Sequence, residues 1–368
     1  MKRSLRSHKI HHLKCLLALA LCTLSRPSYG EIPAPRALPL VWVLSTGGTI
    51  AGRGSSPTDL SNYRSGAILG EDLVKAVPQI SQIATIKVEQ IVNVGSPDIT
   101  TDNWLAIANR ISAIFADPAV AGVVVTHGTS TLEETAFFLN LTVRDDRPIV
   151  LVGSMRPSTA VSADGPLNLL NAIRTAIAVE AKGKGVLIVL NDEINSARDA
   201  TKTNTYRVET FRSPELGLLG YVDEDKVSFY RSSTKRHTIA SEFDVTGVRE
   251  LPQVEIAYSY VEPSPAIVQA LVAGGVQGIV FAGTGAGELS RVEKAALERV
   301  LRLPEESRPA LVRASRVGNG RVIAQKVYDA LGMIPGDNLS PQKARILLML
   351  ALTKTHDPTE LRRIFAEY

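Results

Sequence analysis

Short apolar runs recur along this chain of 368 residues, and helical patterns lie between them. Near-continuous runs of Val, Ile and Leu are typical of parallel strands that are covered on both faces. The strand candidates are Leu40–Leu44, Ile86–Val92, Gly122–Thr126, Ile149–Gly153 and Val186–Asn191, and the helical patterns are Trp104–Phe115, Glu133–Leu139 and Leu167–Glu180. This alternation predicts an α/β fold whose larger N-terminal part is a doubly wound, mainly parallel sheet.

The strand signal fades from about Tyr230 to Glu250, where the chain is polar and charged, and then returns. We therefore expect an N-terminal domain over residues 37–230, a linker over 231–252 and a smaller C-terminal α/β domain over 253–368. The elements expected in that second domain are strands at Val254–Tyr258, Gly278–Ala282 and Ala310–Ala314 and a final helix at Pro341–Leu352. Two domains also suit a chain of this length, because a single core rarely grows much beyond about 300 residues.

The first thirty residues have the composition of a secretory signal peptide. A basic segment precedes an apolar one, and small residues follow at Ser28 and Gly30. The apolar segment, of about ten residues, is too short to span a membrane as a helix. We predict cleavage near Gly30 and a periplasmic or secreted protein. Lipidation at Cys22 is not expected, because Leu21 is a poor residue before a lipoprotein cysteine.

Removal of residues 1–30 changes the charge of the chain. That segment carries six of the 41 basic residues and none of the 37 acidic ones, so the mature chain has a net charge of −2. No basic run with interleaved aromatic residues remains, so we expect neither nucleic-acid nor membrane binding.

Both cysteines, Cys15 and Cys22, lie in the predicted leader. The remaining histidines, His127, His237 and His356, lack the spacing of metal ligands. We therefore expect no disulfide, no thiol nucleophile, no metal and no cofactor in the mature protein.

Hydroxyl side chains follow two of the strand candidates. Gly47 and Gly48 break the first apolar run, and this sharp turn would present Thr49 at the end of the sheet. Thr129 follows the third strand candidate in the same way. Ligands bind at the carboxyl ends of the strands in such sheets. We expect Thr49, Ser96, Thr129 and Lys202 to converge there, because each follows a strand candidate.

Each of these residues also has a purely structural interpretation. Thr49 could be a turn or cap residue, and Lys202 could be solvated rather than a buried base. Ser130 and Thr131 each precede a glutamate by three residues, which fits a capping box at the start of the next helix. His127 is interpreted as a packed residue at a strand end rather than as a catalytic base.

Several motifs nevertheless resemble those of the bacterial asparaginase/glutaminase family. Thr46–Gly52 and Thr126–Thr129 resemble its two active-site motifs, and the resemblance runs from about Leu40 to Tyr368. With the leader, the chain is similar to the secreted (type II) members. Further matches are Ser61–Tyr63, Asn93–Ser96, Met155–Thr159, Ser162–Pro166, Arg198–Asn204 and Asn338–Arg345.

The resemblance implies hydrolysis of the side-chain amide of L-asparagine to L-aspartate and ammonia through a threonine acyl-enzyme. Thr49 would be the nucleophile, assisted by the Tyr63 phenol, and Thr129 and Lys202 would form a second pair that activates a nucleophile or water. Ser96 would hold the α-carboxylate of the substrate. It also implies substrate contacts at Gly48, Pro97, Thr129 and Ser130, and a homotetramer in which a neighbouring chain completes each site.

The sequence departs from the family pattern around the amino-acid end of the substrate. Ser130 stands where the family has the aspartate that binds the substrate ammonium and pairs with the lysine. Pro97 replaces a glutamine, and Ala286 replaces an asparagine. A glutamate expected from the partner chain near Val327 is not evident in the sequence, and Glu288 or Asp329 are the carboxylates that could compensate.

Amide hydrolysis with altered recognition of the amino group therefore stays open beside the main prediction. Loss of the aspartate should also lower the pKa of Lys202, because a neighbouring anion is removed. A dual glutaminase–asparaginase stays open as well. A secreted amino-acid-binding protein without turnover is the alternative from another class.

Overall fold

A computed structural model describes residues 37–368. The predicted leader and its two cysteines lie outside the described residues. The strands are β1 Leu40–Gly47, β2 Arg53–Gly54, β3 Tyr63–Arg64, β4 Thr85–Val94, β5 Val120–Thr126, β6 Ile149–Val152, β7 Val186–Leu190, β8 Glu193–Ser196, β9 Thr201–Lys202, β10 Phe211–Arg212, β11 Gly220–Val222, β12 Val227–Phe229, β13 Val254–Tyr258, β14 Gly278–Gly283, β15 Ala310–Ser315 and β16 Met333–Pro335. The helices are α1 Gly70–Lys75, α2 Ile80–Ile83, α3 Thr101–Ile114, α4 Leu132–Thr142, α5 Gly165–Ile177, α6 Ala266–Ala273, α7 Arg291–Val300, α8 Lys326–Asp329, α9 Pro341–Ala351 and α10 Pro358–Glu367.

The N-terminal part is built on an eight-stranded sheet with the order β12-β11-β8-β7-β6-β5-β1-β4. The five neighbouring strands β7, β6, β5, β1 and β4 pair in parallel, as the apolar runs predicted. Strands β8, β11 and β12 extend the sheet in the antiparallel direction. Asn191 and Asp192 make the turn from β7 to β8 with positive φ angles of 54° and 63°. Both residue types tolerate this conformation better than most others.

Both faces of this sheet are covered, which explains why its central strands are almost continuously apolar. Val123 and Val125 pack in a core cluster that includes α3 and α4. Val124, between them in sequence, packs in the cluster that includes α5. Successive side chains of a strand point to opposite faces, so a strand with a core on each side needs an apolar residue at every position. The predicted doubly wound arrangement is confirmed.

The C-terminal part contains a smaller, four-stranded parallel sheet with the order β13-β14-β15-β16. Helices α6 and α7 contribute to the core on one of its faces. On the other face, residues of α9 and α10 join the same core cluster as α3 and α4 of the N-terminal part. Helix α9 thus packs against both parts of the chain. The predicted smaller α/β domain is confirmed.

The sequence prediction was wrong at the C-terminus, where Pro341–Leu352 was expected to be the last helix. Helix α10 follows at Pro358–Glu367. Asp357 caps it by accepting a hydrogen bond from the Thr359 N–H, and proline at the first helical position is well tolerated. The buried side chains of α10 are Leu361, Ile364 and Phe365, at the spacing of one helix face.

The remaining expected elements occur with ends shifted by up to a few residues. Residues 231–252 contain one short 3-10 helix, Thr238–Ala240, and bury Phe243, Val245 and Leu251. The exact division of the chain into domains stays a prediction. Within residues 37–368, no helix is long and apolar enough to cross a membrane.

Candidate active site

The turn after β1 and the turn after β5 are in direct contact. A Cβ atom placed on Gly48 would lie 2.3 Å from both the Cα and the N of Gly128, so neither turn leaves room for a side chain at Gly48. The φ of Gly48 is +78°, which glycine adopts at little cost. The pairing of β1 with β5 fixes this contact, since Ser45 is in register with Thr126. The two turns therefore deliver Thr49 and Thr129 to one place.

Thr49 lies beside a phenol. The Thr49 Oγ1 and the Tyr63 OH are 2.7 Å apart, and either oxygen can donate the hydrogen bond. Thr49 is buried and Tyr63 is half-buried. The short β2–β3 pair returns the chain from the Thr49 turn to Tyr63, since Gly54 is in register with Tyr63. The local fold thus brings together two residues that are fourteen positions apart.

Thr129 lies beside an amine. The Lys202 Nζ donates a hydrogen bond to the Thr129 Oγ1 over 2.9 Å. Partial burial lowers the pKa of Lys202 below its usual value, while the carboxylate of Glu133 acts in the opposite direction. The lower pKa favours the neutral amine, which is the form that can accept a proton. This is the expected direction, but its cause is burial rather than the absence of a neighbouring anion.

Ser96, which follows β4, contacts the turn after β5. Its Oγ accepts the backbone N–H of Ser130 over 3.0 Å, and its carbonyl accepts the hydroxyl of Thr131 over 2.7 Å. A Cβ atom on Gly128 would lie 2.7 Å from the Ser96 Oγ, so the glycine is also required for this approach. Pro97, the next residue, is exposed in the short 3-10 helix Ser96–Asp98.

One expectation about position was wrong. Thr49, Ser96 and Thr129 each follow a strand of the large sheet, namely β1, β4 and β5. Lys202 does not, because it lies within β9, which pairs with β10 in a separate two-stranded ladder. Strand β8 and a turn intervene between β7 and Lys202, and the long lysine side chain then reaches Thr129.

The predicted capping box at the start of α4 was also wrong. Thr131 is the N-cap residue of α4, but its side chain accepts no capping hydrogen bond. Its hydroxyl instead donates to the Ser96 carbonyl, so the residue connects the site rather than capping the helix. The same type of sequence does form a capping box at the start of α7, between Ser290 and Glu293.

His127 is packed, as its position at a strand end predicted. It is fully buried, its Nδ1 lies 2.7 Å from the Gly128 carbonyl oxygen, and its Nε2 lies 2.9 Å from the Thr135 hydroxyl. Burial lowers the pKa of His127 to about 4. The neutral ring thus contacts both the Gly128 turn and helix α4.

Ser130 is exposed beside the Thr129–Lys202 pair. It borders an open hollow of about 430 Å³ whose other lining residues are Lys202, Thr203, Asn204, Thr205 and Tyr206. Of the Thr129–Lys202 pair, Lys202 lines this hollow. Since serine carries no charge, residue 130 adds only a neutral hydroxyl to the lining of this hollow.

Glu133, the buried carboxylate nearest to this site, was not among the site residues predicted from the sequence. It accepts hydrogen bonds from the Lys202 N–H over 2.5 Å and from the Thr201 hydroxyl over 3.0 Å. Gln342 of α9 donates to the same carboxylate over 2.7 Å. The available signal was a glutamate in the first turn of the helix that follows Thr129, and it was interpreted as part of a capping box.

Glu288 and Asp329, the two carboxylates considered as substitutes, have different partners. The Asp329 carboxylate forms a salt bridge of 3.2 Å with Arg362. The Glu288 carboxylate accepts the Tyr328 hydroxyl over 2.7 Å and the Gln325 amide over 3.2 Å. The Tyr328 hydrogen bond lowers the pKa of Glu288, which keeps it ionised at neutral pH. Of the two, Glu288 is the carboxylate without a cationic partner at salt-bridge distance among the described residues.

Known proteins resemble this chain over nearly its whole described length. The family model for the N-terminal domain of asparaginase matches residues 40–235, and that for the glutaminase/asparaginase C-terminal domain matches residues 253–365. L-asparaginase 2 of Bacillus subtilis (strain 168) is 49% identical over 332 residues, which cover 90% of this chain and 87% of the relative. A probable periplasmic L-asparaginase of Haemophilus influenzae is 44% identical over 360 residues, covering 96% of this chain and 99% of the relative.

A solved structure gives the same result for the fold. The crystal structure of a probable cytoplasmic L-asparaginase from Campylobacter jejuni superposes with a TM-score of 0.86 at 46% sequence identity. The match covers 90% of this chain and 100% of that one. The relatives thus include proteins described as periplasmic and as cytoplasmic. Together with the two converging threonine turns, these matches show that the chain belongs to the asparaginase family of amidohydrolases.

Proposed function

We propose that this protein hydrolyses the side-chain amide of L-asparagine to L-aspartate and ammonia, with Thr49 as the nucleophile. The observation that carries the proposal is the contact of the Gly48 and Gly128 turns, which brings two hydroxyl groups together with two different proton-handling partners. Nucleophilic hydroxyl groups need such partners, because a neutral alcohol is a weak nucleophile.

In the first step the Thr49 Oγ1 attacks the amide carbon of the substrate. A carbon–oxygen bond forms, the carbon–nitrogen bond breaks, and ammonia leaves with the proton that Thr49 gave up through the Tyr63 hydroxyl. In the second step water attacks the resulting ester, and neutral Lys202, next to Thr129, takes the proton of that water. The ester carbon–oxygen bond to Thr49 then breaks, and protonated Lys202 returns that proton to the Thr49 oxygen, which leaves aspartate and the free enzyme.

Ser96, Gly48, Pro97 and Ser130 would form the wall that receives the amino-acid end of the substrate. The Ser96 hydroxyl would hold the α-carboxylate. Ser130 would contact the ammonium through a neutral oxygen. Because a hydrogen bond to a charged partner is worth roughly 1.5–3 kcal/mol, we expect weaker binding of the ammonium than an aspartate at this position would give.

The wider assignments of the sequence analysis belong to the same proposal. The chain would be exported through its leader, act without metal or cofactor, and bind neither nucleic acid nor membrane once the leader is removed. It would form a homotetramer in which a neighbouring chain completes each site. L-glutamine is the second candidate substrate, because the family model that matches residues 253–365 is described for both amides.

The test is ammonia release from L-asparagine by the purified protein, with Thr49→Ala and Thr129→Ala as a matched pair. We expect Thr49→Ala to lower kcat at least about 10⁴-fold, because it removes the nucleophile. Thr129→Ala should still form the ester. Mass measurement of the quenched protein would detect the ester, and peptide mapping would place it on the peptide that contains Thr49.

Two outcomes would contradict the assignment. Substantial activity in Thr49→Ala, with the ester on Thr129, would make Thr129 the nucleophile and Lys202 its base. Binding of L-asparagine by the wild-type protein without any ammonia release would favour the amino-acid-binding alternative. Side-by-side kinetics with L-glutamine would decide between a single and a dual specificity.

A further inference from the structure

The backbone around Lys202 has little regular structure of its own. Strand β9 contains two residues and pairs with the two residues of β10. A two-stranded pairing of this length is marginal in water without support from neighbouring elements. The Lys202 side chain is nevertheless held at 2.9 Å from the Thr129 hydroxyl. Other contacts must therefore fix the position of this segment.

Glu133 provides the most direct of these contacts. It lies four residues after Thr129, in the first turn of α4, and is 5% exposed. Its Oε2 accepts the backbone N–H of Lys202 and its Oε1 accepts the Thr201 hydroxyl. One carboxylate thus ties the segment that carries Thr129 to the segment that carries Lys202.

Helix α9 supports the same segment from a second side. The Gln342 amide donates to the Glu133 Oε1 over 2.7 Å, which fixes the rotamer of that carboxylate. The neighbouring Lys343 is fully buried and donates to the carbonyl oxygens of Arg198 and Ala200 over 2.8 and 2.5 Å. The chain just before Lys202 is therefore bound to α9 by its backbone as well.

The charges around Glu133 come from three elements. Lys202 faces it from β9, Glu134 is its neighbour on α4, and Lys343 faces it from α9. Burial lowers the pKa of Lys343 to about 8, with Glu133 and Asp199 acting in the opposite direction and Arg198 in the same direction. Burial raises the pKa of Glu134, against the effect of Arg345.

We propose that Glu133 is a positioning residue whose carboxylate fixes Lys202 against Thr129. The carboxylate also supplies a negative charge beside the Thr129–Lys202 pair, whose other neighbour, Ser130, is uncharged. Gln342 completes the arrangement by holding the carboxylate from α9. The inference rests on the proposed function of Lys202 and assigns Glu133 no direct contact with the substrate.

The test compares Glu133→Gln with the matched variant Glu134→Gln, which makes the same change one residue away. For each, kcat and KM for L-asparagine are measured from about pH 5 to about pH 10, and folding is checked by Tm. We expect Glu133→Gln to lower kcat roughly 10- to 100-fold while KM changes less than about threefold, because the loss affects the reacting pair rather than substrate binding.

The pH profile separates this effect from a loss of structure. Neutral Lys202 is the active form, so kcat falls on the acid side as this amine is protonated. The Glu133 anion favours the protonated amine, and its removal should move the acid limb of the profile about one pH unit lower. Glu134→Gln should leave the limb and kcat as in the wild type. Gln342→Ala should lower kcat several-fold without moving the limb, because the charge remains.

An unmoved acid limb in folded Glu133→Gln would overturn the proposal, whether or not kcat falls. If Glu133→Gln does not fold, Glu133→Asp takes its place, since it keeps the charge and shortens the reach. That variant should lose kcat with an unmoved limb, and a wild-type kcat would overturn the proposal. Lys202→Met, measured in parallel, tests the underlying function. Wild-type activity there would contradict the role of Lys202 itself, whereas an inactive Lys202→Met beside a wild-type-like Glu133→Gln would contradict only the role of Glu133.

Discussion

Thr49 is paired with a phenol and Thr129 with an amine, and the two partners reach the site by different routes. Tyr63 is sequence-local and returns to Thr49 through the short β2–β3 pair. Lys202 comes from 73 residues away and is held by Glu133, with Gln342 behind it. One hydroxyl therefore has a nearby partner in an exposed hairpin, and the other has a distant partner fixed by buried groups.

This difference suggests a division of labour between the two pairs. A phenol that is close in sequence can relay a proton during attack and departure. A neutral amine is a stronger base than a neutral phenol, and the lowered pKa of Lys202 favours its neutral form. Because the amine is only useful when it stays close to its hydroxyl, its backbone needs external support. The structure supplies that support through the buried carboxylate of Glu133.

Among the groups around the two threonine hydroxyls, removal of the amine should have the largest effect. Lys202→Met keeps most of the length of the side chain and removes its basicity, and we expect kcat to fall roughly 10³-fold, within the range for a general base. Ammonia release measures this, with Lys75→Met as the control because the Lys75 side chain is 69% exposed. A loss below tenfold would mean that the amine is not the base of either step.

A smaller effect is expected at the phenol. Tyr63→Phe removes only the hydroxyl that lies 2.7 Å from the Thr49 Oγ1, and we expect kcat to fall roughly 10²-fold with little change in KM. Tyr221→Phe is the matched control, since Tyr221 is 41% exposed. If Tyr63→Phe proves more damaging than Lys202→Met, the proposed ranking of the two pairs is reversed.

The smallest of the three effects concerns substrate recognition beside the amine. Ser130→Asp restores a charged partner for the substrate ammonium, and we expect KM for L-asparagine to fall about tenfold, at the lower end of the value of such a hydrogen bond because Ser130 is exposed. Ser130→Asn, similar in size but neutral, should leave KM within about twofold. An unchanged KM in Ser130→Asp would rule out a contact between residue 130 and the substrate ammonium.

Much of the fold could be predicted because its central strands are almost continuously apolar. In a run such as Val123–Val125, alternate side chains pack into the cores on the two faces of the sheet, so a short stretch of sequence is enough to indicate a buried strand. Helix α10 also had a local signal, since Asp357 and Pro358 mark its start and Leu361, Ile364 and Phe365 its buried face. It was missed because no expectation was made beyond residue 352.

The environment of Lys202 could not be predicted in the same way. Glu133 lies 69 residues from Lys202 and 209 residues from Gln342, and no local pattern records such contacts. The short segment Ser130–Glu133 also fits a capping box equally well. Only the tertiary structure decides that the Thr131 hydroxyl binds Ser96 and that the Glu133 carboxylate binds β9.

Helix α9 has a consequence for how this protein could be cut or recombined. In sequence it belongs to the C-terminal part, yet its first turn supplies Gln342 and Lys343 to the segment that ends in Lys202. A fragment ending near residue 235 would keep every proposed catalytic side chain and lose the helix that immobilises one of them. Chimeras between relatives should therefore exchange α4, β9 and α9 as a set, although these three elements are far apart in the gene.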